Sequence, residues 1–475
     1  MHICLVTPPS PFLLDERVFA SLGILKVGAV LEQAGHKVEH LDLTGVENYE
    51  DAATDYVGNP NIFAFTSTSP QYPACLRVLK ALQTSNPSAK TVLGGPHPTL
   101  VHAAAKRASE RAKSALVEIL KDFDVVVAGD GEKAIFSAIS PFTKGLVDAD
   151  DPKSVLWNTS KDFTEAPWPA RHLIDMDSYH YYVDGKRATS AIFQLGCPFH
   201  CNFCGGRNSA MLRRIRSRDT ENVIAEMRFI HDTYGLSSIM AYDDELNVNR
   251  NIVPLMREIA SMGIDWRLRG FVKAELFTEE QAEVMYAAGF RWLLCGFESA
   301  HPKILKNIAK NATVDDNTRM LRIAHKYGLK VKALMSFGHP GESEETVLAT
   351  RDWLLQEKPD DFDCTVITVY PGTQYYDAAI HVAGDTYKFE TNGDVLYSKN
   401  VDFSREMQFY KGKPGEYTSY VWTDYLSPQE IVRLRDEVEN EVRSKLEIPF
   451  PAAAAAVHFE HSMGMNLPPS ILRAS

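Results

Sequence analysis

No apolar run in this chain reaches the ~20 residues that a bilayer-spanning helix needs, so no membrane span is expected. The opening MHICLVTPPS lacks a basic stretch, a long apolar core and a cleavage site, so it does not read as a secretory signal. Positive charge is in deficit. Lys and Arg number 50 against 62 Asp and Glu, a net charge of −12, which excludes a polyanion-binding surface as a global property and leaves room only for a local basic patch. No pattern of a nucleic-acid reader is present, and no nucleic-acid partner is expected. Cysteine is scarce: there are seven in 475 residues, and Cys4, Cys75, Cys295 and Cys364 stand alone. A disulfide framework is therefore not expected, and the reducing cytoplasm is the expected compartment. What remains is an ordinary globular composition, 45% hydrophobic and 24% charged, with length for two or three domains.

The other three cysteines fall within residues 190–207, SAIFQLGCPFHCNFCGGR. The apolar run from Ala191 to Leu195 predicts a strand ending at Gly196. Cys197, Cys201 and Cys204 follow with the spacing C-x3-C-x2-C; Phe203 precedes the last of them and Gly205-Gly206 follow it. Thiolate is the soft ligand that iron–sulfur clusters take, and three on one short loop suit a cluster bound at three of its four irons. Zinc is the alternative. A structural zinc closes with four protein ligands, and His200, inside the loop, would be the fourth.

The strand, the spacing, the aromatic and the glycines together resemble the signature of the radical S-adenosylmethionine (SAM) enzymes. The resemblance implies that Cys197, Cys201 and Cys204 hold a [4Fe-4S] cluster whose open iron takes the amino and carboxylate groups of SAM. It implies that one electron from the cluster cleaves SAM to a 5′-deoxyadenosyl radical, and hence a low-potential electron donor of the flavodoxin or ferredoxin type.

Upstream, strand-like runs at 2–7, 36–41, 61–66, 91–93 and 125–128 alternate with helical runs at 22–34 and 75–83. This predicts an α/β domain over 1–140, a doubly wound, Rossmann-like parallel sheet with its ligand at the carboxyl ends of the strands. LGGPHPT, AGDGE and TPPSP at those ends are similar to the cobalamin-binding domain found ahead of many radical SAM enzymes. The similarity implies cobalamin contacts at Gly94, Gly95, Pro96, His97, Gly129 and Gly131. D-x-H-x-x-G is absent and residues 7–16 hold no His. A cobalt without a histidine ligand from that motif is implied, with His97 a loop or tail contact. The competing reading is a nucleotide-type domain that binds nothing, because glycine-rich strand ends alone are weak evidence.

Residues 141–188 read as a linker, with four prolines and no sustained period. In it Trp168, Tyr179, Tyr181 and Tyr182 either pack between domains or lie at the surface. LRRIRSR at 212–218 carries four arginines, as a solvated basic face or as a clamp for a carboxylate or phosphate. Further strand-like runs at 238–242, 265–270, 291–296, 330–337 and 362–370 bring residues 189–380 to six strand–helix units. That is short of a complete eightfold barrel, and the radical SAM family uses such a partial (β/α)6 barrel. The second strand ends in Asp243-Asp244-Glu245, where acidic side chains suit a cationic amino group. The resemblance assigns Asp243 and Asp244 to the amino group of SAM, although the family's Gly-Gly-Glu is missing. The fourth ends in Gly296-Phe297-Glu298-Ser299, similar to a family motif that assigns Glu298 and Ser299 to the ribose or methionine part of SAM.

Residues 381–475 are expected to be mostly helical or irregular and to shape the substrate pocket. A helix is predicted at 427–446, with Ser427 as N-cap and Glu430 in the capping-box position. His458 and His461 are too few for a metal site and read as part of a packed tail.

The leading expectation is a cobalamin-dependent radical SAM C-methyltransferase acting on a small-molecule or biosynthetic-intermediate substrate. Radical cyclisation, ring rearrangement or oxidation on the same scaffold is the alternative. A non-enzymatic cluster- or cobalamin-binding regulator or electron carrier is the third.

Overall fold

A computed structural model of the chain describes residues 1–10, 16–406 and 418–449; the pair His458 and His461 lies outside them. Among the described residues no helix is long and apolar enough to cross a membrane.

Six strands open the chain: β1 (His2–Thr7), β2 (Lys37–Asp42), β3 (Ile62–Thr66), β4 (Lys90–Gly94), β5 (Val125–Gly129) and β6 (Gly145–Ala149). They form an all-parallel sheet in the order β2-β1-β3-β4-β5-β6. Helices cover both faces, which is why β1 and β5 are almost continuously apolar. Alternate residues feed two cores: Cys4 and Val6 join Phe63 and Leu79 on one face, while Ile3 and Leu5 join Leu25 and Val127 on the other. This is the doubly wound sheet the sequence predicts, with its sixth strand drawn from residues expected to be linker.

The turn leaving β5 needs its glycine. Gly129 has φ +105, and a Cβ there would lie 2.6 Å from the Asp150 backbone nitrogen. Gly129→Ala is expected to destabilise the domain by ~1–3 kcal/mol, the cost of a forced backbone conformation. A lowered midpoint in chemical unfolding would show this; an unchanged midpoint would mean the turn relaxes.

The second sheet runs β15-β14-β13-β12-β11-β8-β7. It comprises β7 (Tyr181–Val183), β8 (Lys186–Ala191), β11 (Ser238–Ala241), β12 (Arg267–Phe271), β13 (Phe290–Glu298), β14 (Lys330–Phe337) and β15 (Asp361–Val366). Only β7, in a hairpin with β8, is antiparallel; the other six are parallel, as the six predicted units require. β15 and β7 do not pair, so the barrel stays open.

The first barrel strand is displaced from its predicted place. It is Lys186–Ala191, not 191–195. The chain leaves the sheet at Ile192, and β9 (Gln194–Leu195) pairs antiparallel with β10 (Arg216–Ser217). Side-chain carboxylates replace the sheet ladder here: Phe193 N donates to Asp243 Oδ1 at 2.7 Å and Gly196 N to Asp244 Oδ2 at 2.8 Å.

The C-terminal segment keeps its predicted helix, Pro428–Leu446, with the Ser427–Glu430 capping box formed. It also contains an antiparallel sheet that was not expected: β16 (Ile380–Ala383), β17 (Thr386–Thr391), β18 (Asp394–Lys399) and β19 (Val421–Thr423). Asn392 (φ +50) and Gly393 (φ +85) make the tight turn between β17 and β18, and Asn-Gly between alternating residues is the sequence signal for such a hairpin. The helix protects the barrel's open edge. Arg443 Nη2 donates to Phe362 O at 2.7 Å and Arg435 Nε to Cys364 O at 2.8 Å, satisfying edge carbonyls of β15.

Candidate active site

The carboxyl edges of the two parallel sheets meet at the cysteine loop. Leu100, on the helix Pro96–Lys106 that follows β4, lies against Gly205 and Gly372; a Cβ on either glycine would come within 3.3 Å of it. Arg216 on β10 forms a buried ion pair with Asp130, just past β5. Past β6, Asp150 Oδ1 accepts from Ser209 Oγ at 2.8 Å and from Met211 N at 2.6 Å.

The linker locks this arrangement. Arg171, 1% exposed, donates to Glu226 Oε1 at 2.7 Å and to Ser190 O at 2.8 Å, and Arg218 pairs with the other Glu226 oxygen. Tyr179 donates to Asp42 Oδ2 at 2.7 Å, and the Tyr181 ring, which accepts from Arg269 at 3.0 Å within the barrel sheet, lies 4.2 Å from that of Phe19. These two tyrosines therefore touch the N-terminal domain. The four arginines of LRRIRSR divide: Arg216 and Arg218 are buried in ion pairs, while Arg214 is exposed and Arg213 half-buried. They form neither one solvated face nor one clamp.

The cysteine loop is pinned from three sides. Cys197 N donates to Leu212 O at 2.9 Å, Asn202 N to Ile308 O at 2.8 Å, and Gln374 N to Asn202 O at 2.9 Å. All three thiols are unbridged. Burial pushes Cys197 and Cys204 up to about 12, with Glu245 adding to the first and Cys201 to the second. Burial also raises Cys201, against the fields of Lys310 and Lys273. Cys204 is nevertheless open to solvent. Tyr242 and Asp244 are likewise accessible, and burial raises both.

His200 stands apart from the thiols, with its ring nitrogens 2.6 and 2.7 Å from the Arg213 guanidinium. Among the described residues, no three His, Cys, Asp or Glu side chains converge on a point for one ion. Zinc needs such convergence. A four-iron cluster takes each thiolate on a different iron, so unconverged thiols on a glycine-flanked loop fit it.

Of the acidic strand end, Asp243 and Asp244 carry the backbone at Phe193 and Gly196. Burial pushes Asp243 up to about 8, and its Oδ2 has no partner. Glu245, which the acidic triplet signals but the family motif does not single out, is pushed up to about 7 by burial and has an unpartnered Oε2. Two unpartnered, buried carboxylate oxygens behind the cysteines suit a ligand bearing cationic nitrogen or sulfonium.

Glu298 closes the site at the end of β13. Its φ is +63, and Lys310 Nζ lies 3.2 Å from Oε1. Ser336 Oγ donates to Oε2 at 2.8 Å. It must then accept from His339 Nε2, also at 2.8 Å, which leaves His339 Nδ1 to accept from the Tyr375 hydroxyl at 3.1 Å. Burial holds His339 down at about 4, so the ring is neutral and the chain of donors runs one way. Ser299, by contrast, is 1% exposed; its Oγ accepts from His301 N at 3.1 Å and lies against Thr350. The relay residues Ser336, His339 and Tyr375 escape sequence reasoning because Tyr375, on the helix Gln374–Asp377, reaches the end of β14 only through the fold.

On the N-terminal edge, Gly95 (φ +96) and Gly129 are demanded by their own turns, and Gly131 by contact with Val27. Gly94 is not forced by its neighbours: a Cβ there would meet the Phe65 carbonyl oxygen at 3.9 Å, an ordinary contact. Pro96 begins its helix, and His97 beside it is buried. The His97 ring nitrogen Nδ1 lies 3.0 Å from Ser69 Oγ, the ring stacks on Tyr72, and burial holds it neutral at about 3. The sheet order reverses between β1 and β3, so the crevice for a ligand opens beside Pro8 and Ser67–Ser69. An edge of small residues there, facing the cysteine loop, fits a large planar cofactor between the two sheets.

Comparison with known proteins agrees with this layout. Residues 16–136 match the B12 binding domain family and residues 191–354 the Radical SAM superfamily. The chain is 27% identical over 401 residues to an uncharacterized methyltransferase of Pyrococcus horikoshii, covering 80% of this chain and 83% of that one. It is 23% identical over 403 residues to an anaerobic magnesium-protoporphyrin IX monomethyl ester cyclase of Synechocystis, covering 80% and 77%. The fold is similar to that of the radical S-adenosylmethionine methyltransferase TsrM from Kitasatospora setae, solved with cobalamin and a [4Fe-4S] cluster bound. The TM-score is 0.62 at 19% identity, covering 95% of this chain and 91% of that one.

Proposed function

This chain belongs to the radical SAM superfamily and carries a B12-binding domain ahead of its barrel, and on that premise we propose that it is a cobalamin-dependent C-methyltransferase of a small-molecule substrate. The observation that carries the reading is the clamping of a three-cysteine loop between the carboxyl edges of two parallel sheets. When bound, the cluster with SAM supplies hydrogen abstraction from an unactivated carbon, and the cobalamin supplies a transferable methyl group.

The protein's part is holding, orienting and drying. Cys197, Cys201 and Cys204 hold the cluster. Glu245 and the free oxygen of Asp243 accept from the cationic groups of SAM, while Asp243 and Asp244 keep the loop's backbone in place. Glu298, fixed on both oxygens by Lys310 and Ser336, presents an oriented acceptor for the ribose or amino group. Gly94 and the β1–β3 crevice receive the corrin. Tyr242 and Phe19, with ring centroids 5.9 Å apart, supply an apolar contact between the N-terminal domain and the end of β11.

Glu298→Gln removes the charge and breaks the fit to Lys310. A hydrogen bond to a charged group contributes ~1.5–3 kcal/mol, so SAM affinity is expected to fall roughly 10–100-fold. Ser336→Ala removes only the orienting donor and is expected to cost less. Calorimetric titration with SAM would check both. An unchanged affinity in Glu298→Gln would remove Glu298 from the site.

Methyl transfer itself is tested by product ratio. The protein, reconstituted anaerobically with iron, sulfide and hydroxocobalamin, is given SAM, a low-potential reductant and a cell extract as the substrate source. Methyl transfer requires 5′-deoxyadenosine and S-adenosylhomocysteine together. The likeness to a cyclase over most of the chain favours one second reading, radical ring formation, which yields deoxyadenosine alone.

A further inference from the structure

The segment after the barrel is tied to the cysteine loop through one residue. Asn307, the last of the helix Pro302–Asn307, is 1% exposed, and both donors of its side-chain amide are used. Nδ2 donates to Asp394 Oδ2 at 2.8 Å and to Pro340 O at 2.9 Å, while Oδ1 accepts from Asn392 Nδ2 at 3.0 Å. Asn392 and Asp394 flank Gly393 in the tight turn between β17 and β18, so one amide grips that turn from both sides. The turn is anchored again nearby. Lys303 Nζ lies 2.8 Å from Asp394 Oδ1, and a Cβ on Gly341 would come within 2.5 Å of the Asp394 carboxyl carbon.

The other end of the tie is backbone. Asn307 O accepts from Asn202 Nδ2 at 2.9 Å, and Ile308 O accepts from Asn202 N at 2.8 Å. Asn202 directly follows Cys201, and Phe203 beside it packs on the buried cluster of Ile304, Leu305 and Ile308. The same stretch then carries Lys310 to Glu298. Each buried partner lost from this chain of contacts leaves a polar group unpaired, so the contacts hold or fail together. Rigidifying one end of such a chain lowers the cost of ordering the other.

We propose that Asn307 is a positioning residue through which the β17–β18 turn and the cysteine loop order each other. The C-terminal hairpin then belongs to the apparatus that holds the cluster and SAM, and is not only a wall of the substrate pocket. The proposal rests on the cluster reading of the cysteine loop. The coupling is reciprocal: what steadies the loop steadies the turn by the same factor.

The test compares amide hydrogen exchange of the full chain before and after anaerobic reconstitution with iron and sulfide. Exchange across residues 386–399 is expected to slow about tenfold on loading, inside the ~5–150-fold range of ordinary coupling between sites. Asn392→Gly removes the donor to Asn307 Oδ1 while keeping a residue at ease with the φ of +50 there. It should lose most of the slowing, with exchange in β13 and β14 unchanged. Calorimetric SAM affinity of the loaded variant should fall about tenfold, because the turn also steadies the stretch that brings Lys310 to Glu298. Asn307→Asp sets a second carboxylate against Asp394 and should abolish the slowing. Combining it with Asp394→Asn again places a donor opposite an acceptor and should restore part of it.

A turn whose exchange ignores loading would overturn the proposal, as would equal slowing in Asn392→Gly or an unchanged SAM affinity in that variant. Faster exchange spread evenly over β13 and β14 would also overturn it, as general destabilisation. Failure of the unsubstituted protein to hold iron would instead refute the cluster reading beneath it.

Discussion

Cys201→Ala is expected to leave the chain unable to retain a [4Fe-4S] cluster, with iron after anaerobic reconstitution near background and SAM cleavage below detection. The three thiols sit where burial disfavours a bare thiolate, so a bound cluster is what compensates their charge. Losing one of three leaves two ligands and an additional exposed iron. The loss should therefore exceed the ~10–100-fold that follows from removing a residue that merely supports a metal ligand. Cys197→Ala and Cys204→Ala should behave alike. Cys295→Ala and Cys364→Ala supply the contrast: both residues are buried in the barrel core, and their replacement should cost packing while leaving iron content unchanged. If Cys201→Ala kept its iron and cleaved SAM, the assignment of the loop would be lost. A stoichiometric zinc content in the unsubstituted protein would have the same consequence.

Glu226→Gln is expected to produce the largest loss of stability. Glu226, 2% exposed, faces two guanidiniums, Arg171 and Arg218, that are nearly as buried. Its carboxyl is held below the usual range: burial would raise it, but the two arginines more than offset that. Neutralising it leaves two buried cations facing each other. Breaking a buried pair in this way costs ~3–5 kcal/mol. For a unit the size of the barrel, this lowers the thermal midpoint by about ten degrees or more. Glu226→Asp, which keeps the charge but shortens the reach, should fall between. A midpoint within two degrees, in the same buffer, of the unsubstituted protein's would show that water or another carboxylate compensates the arginines. Because Arg171 comes from the linker and Arg218 from beyond the cysteine hairpin, the variant should also loosen the docking of the hairpin. Faster proteolysis between residues 150 and 220 would report this.

Much of the fold could be read in advance, for a physical reason. Parallel strands buried on both faces must be continuously apolar, so β1, β3 and β5 announce themselves, and the six barrel units follow from strand-like and helical runs taken in order. The cysteine loop was legible because three soft ligands at fixed short spacing have few other uses. Less legible were elements whose partners are side chains. The strand before the cysteines was placed too late because its apolar run continues past Ala191, while the sheet does not: Asp243 and Asp244 take over its hydrogen bonds. The antiparallel sheet at 380–423 is less legible because β16 is exposed throughout and β18 buries only alternate residues, so no continuous apolar run marks it, although Asn392-Gly393 marks the turn.

The sequence by itself determined the two domains' type and order, the spacing of the three thiols, and the acidic strand end. Each of these is a local property: a period, a spacing, or a residue type at a strand terminus. The tertiary structure alone decided which side chains share a cleft. It buried Ser299 and His97, left oxygens of Asp243 and Glu245 without partners, and aligned Tyr375, His339 and Ser336 behind Glu298. It divided the arginines of one short run between buried ion pairs and an exposed surface. These outcomes depend on burial and on contacts between residues far apart in the chain, and neither is encoded in any one stretch of it.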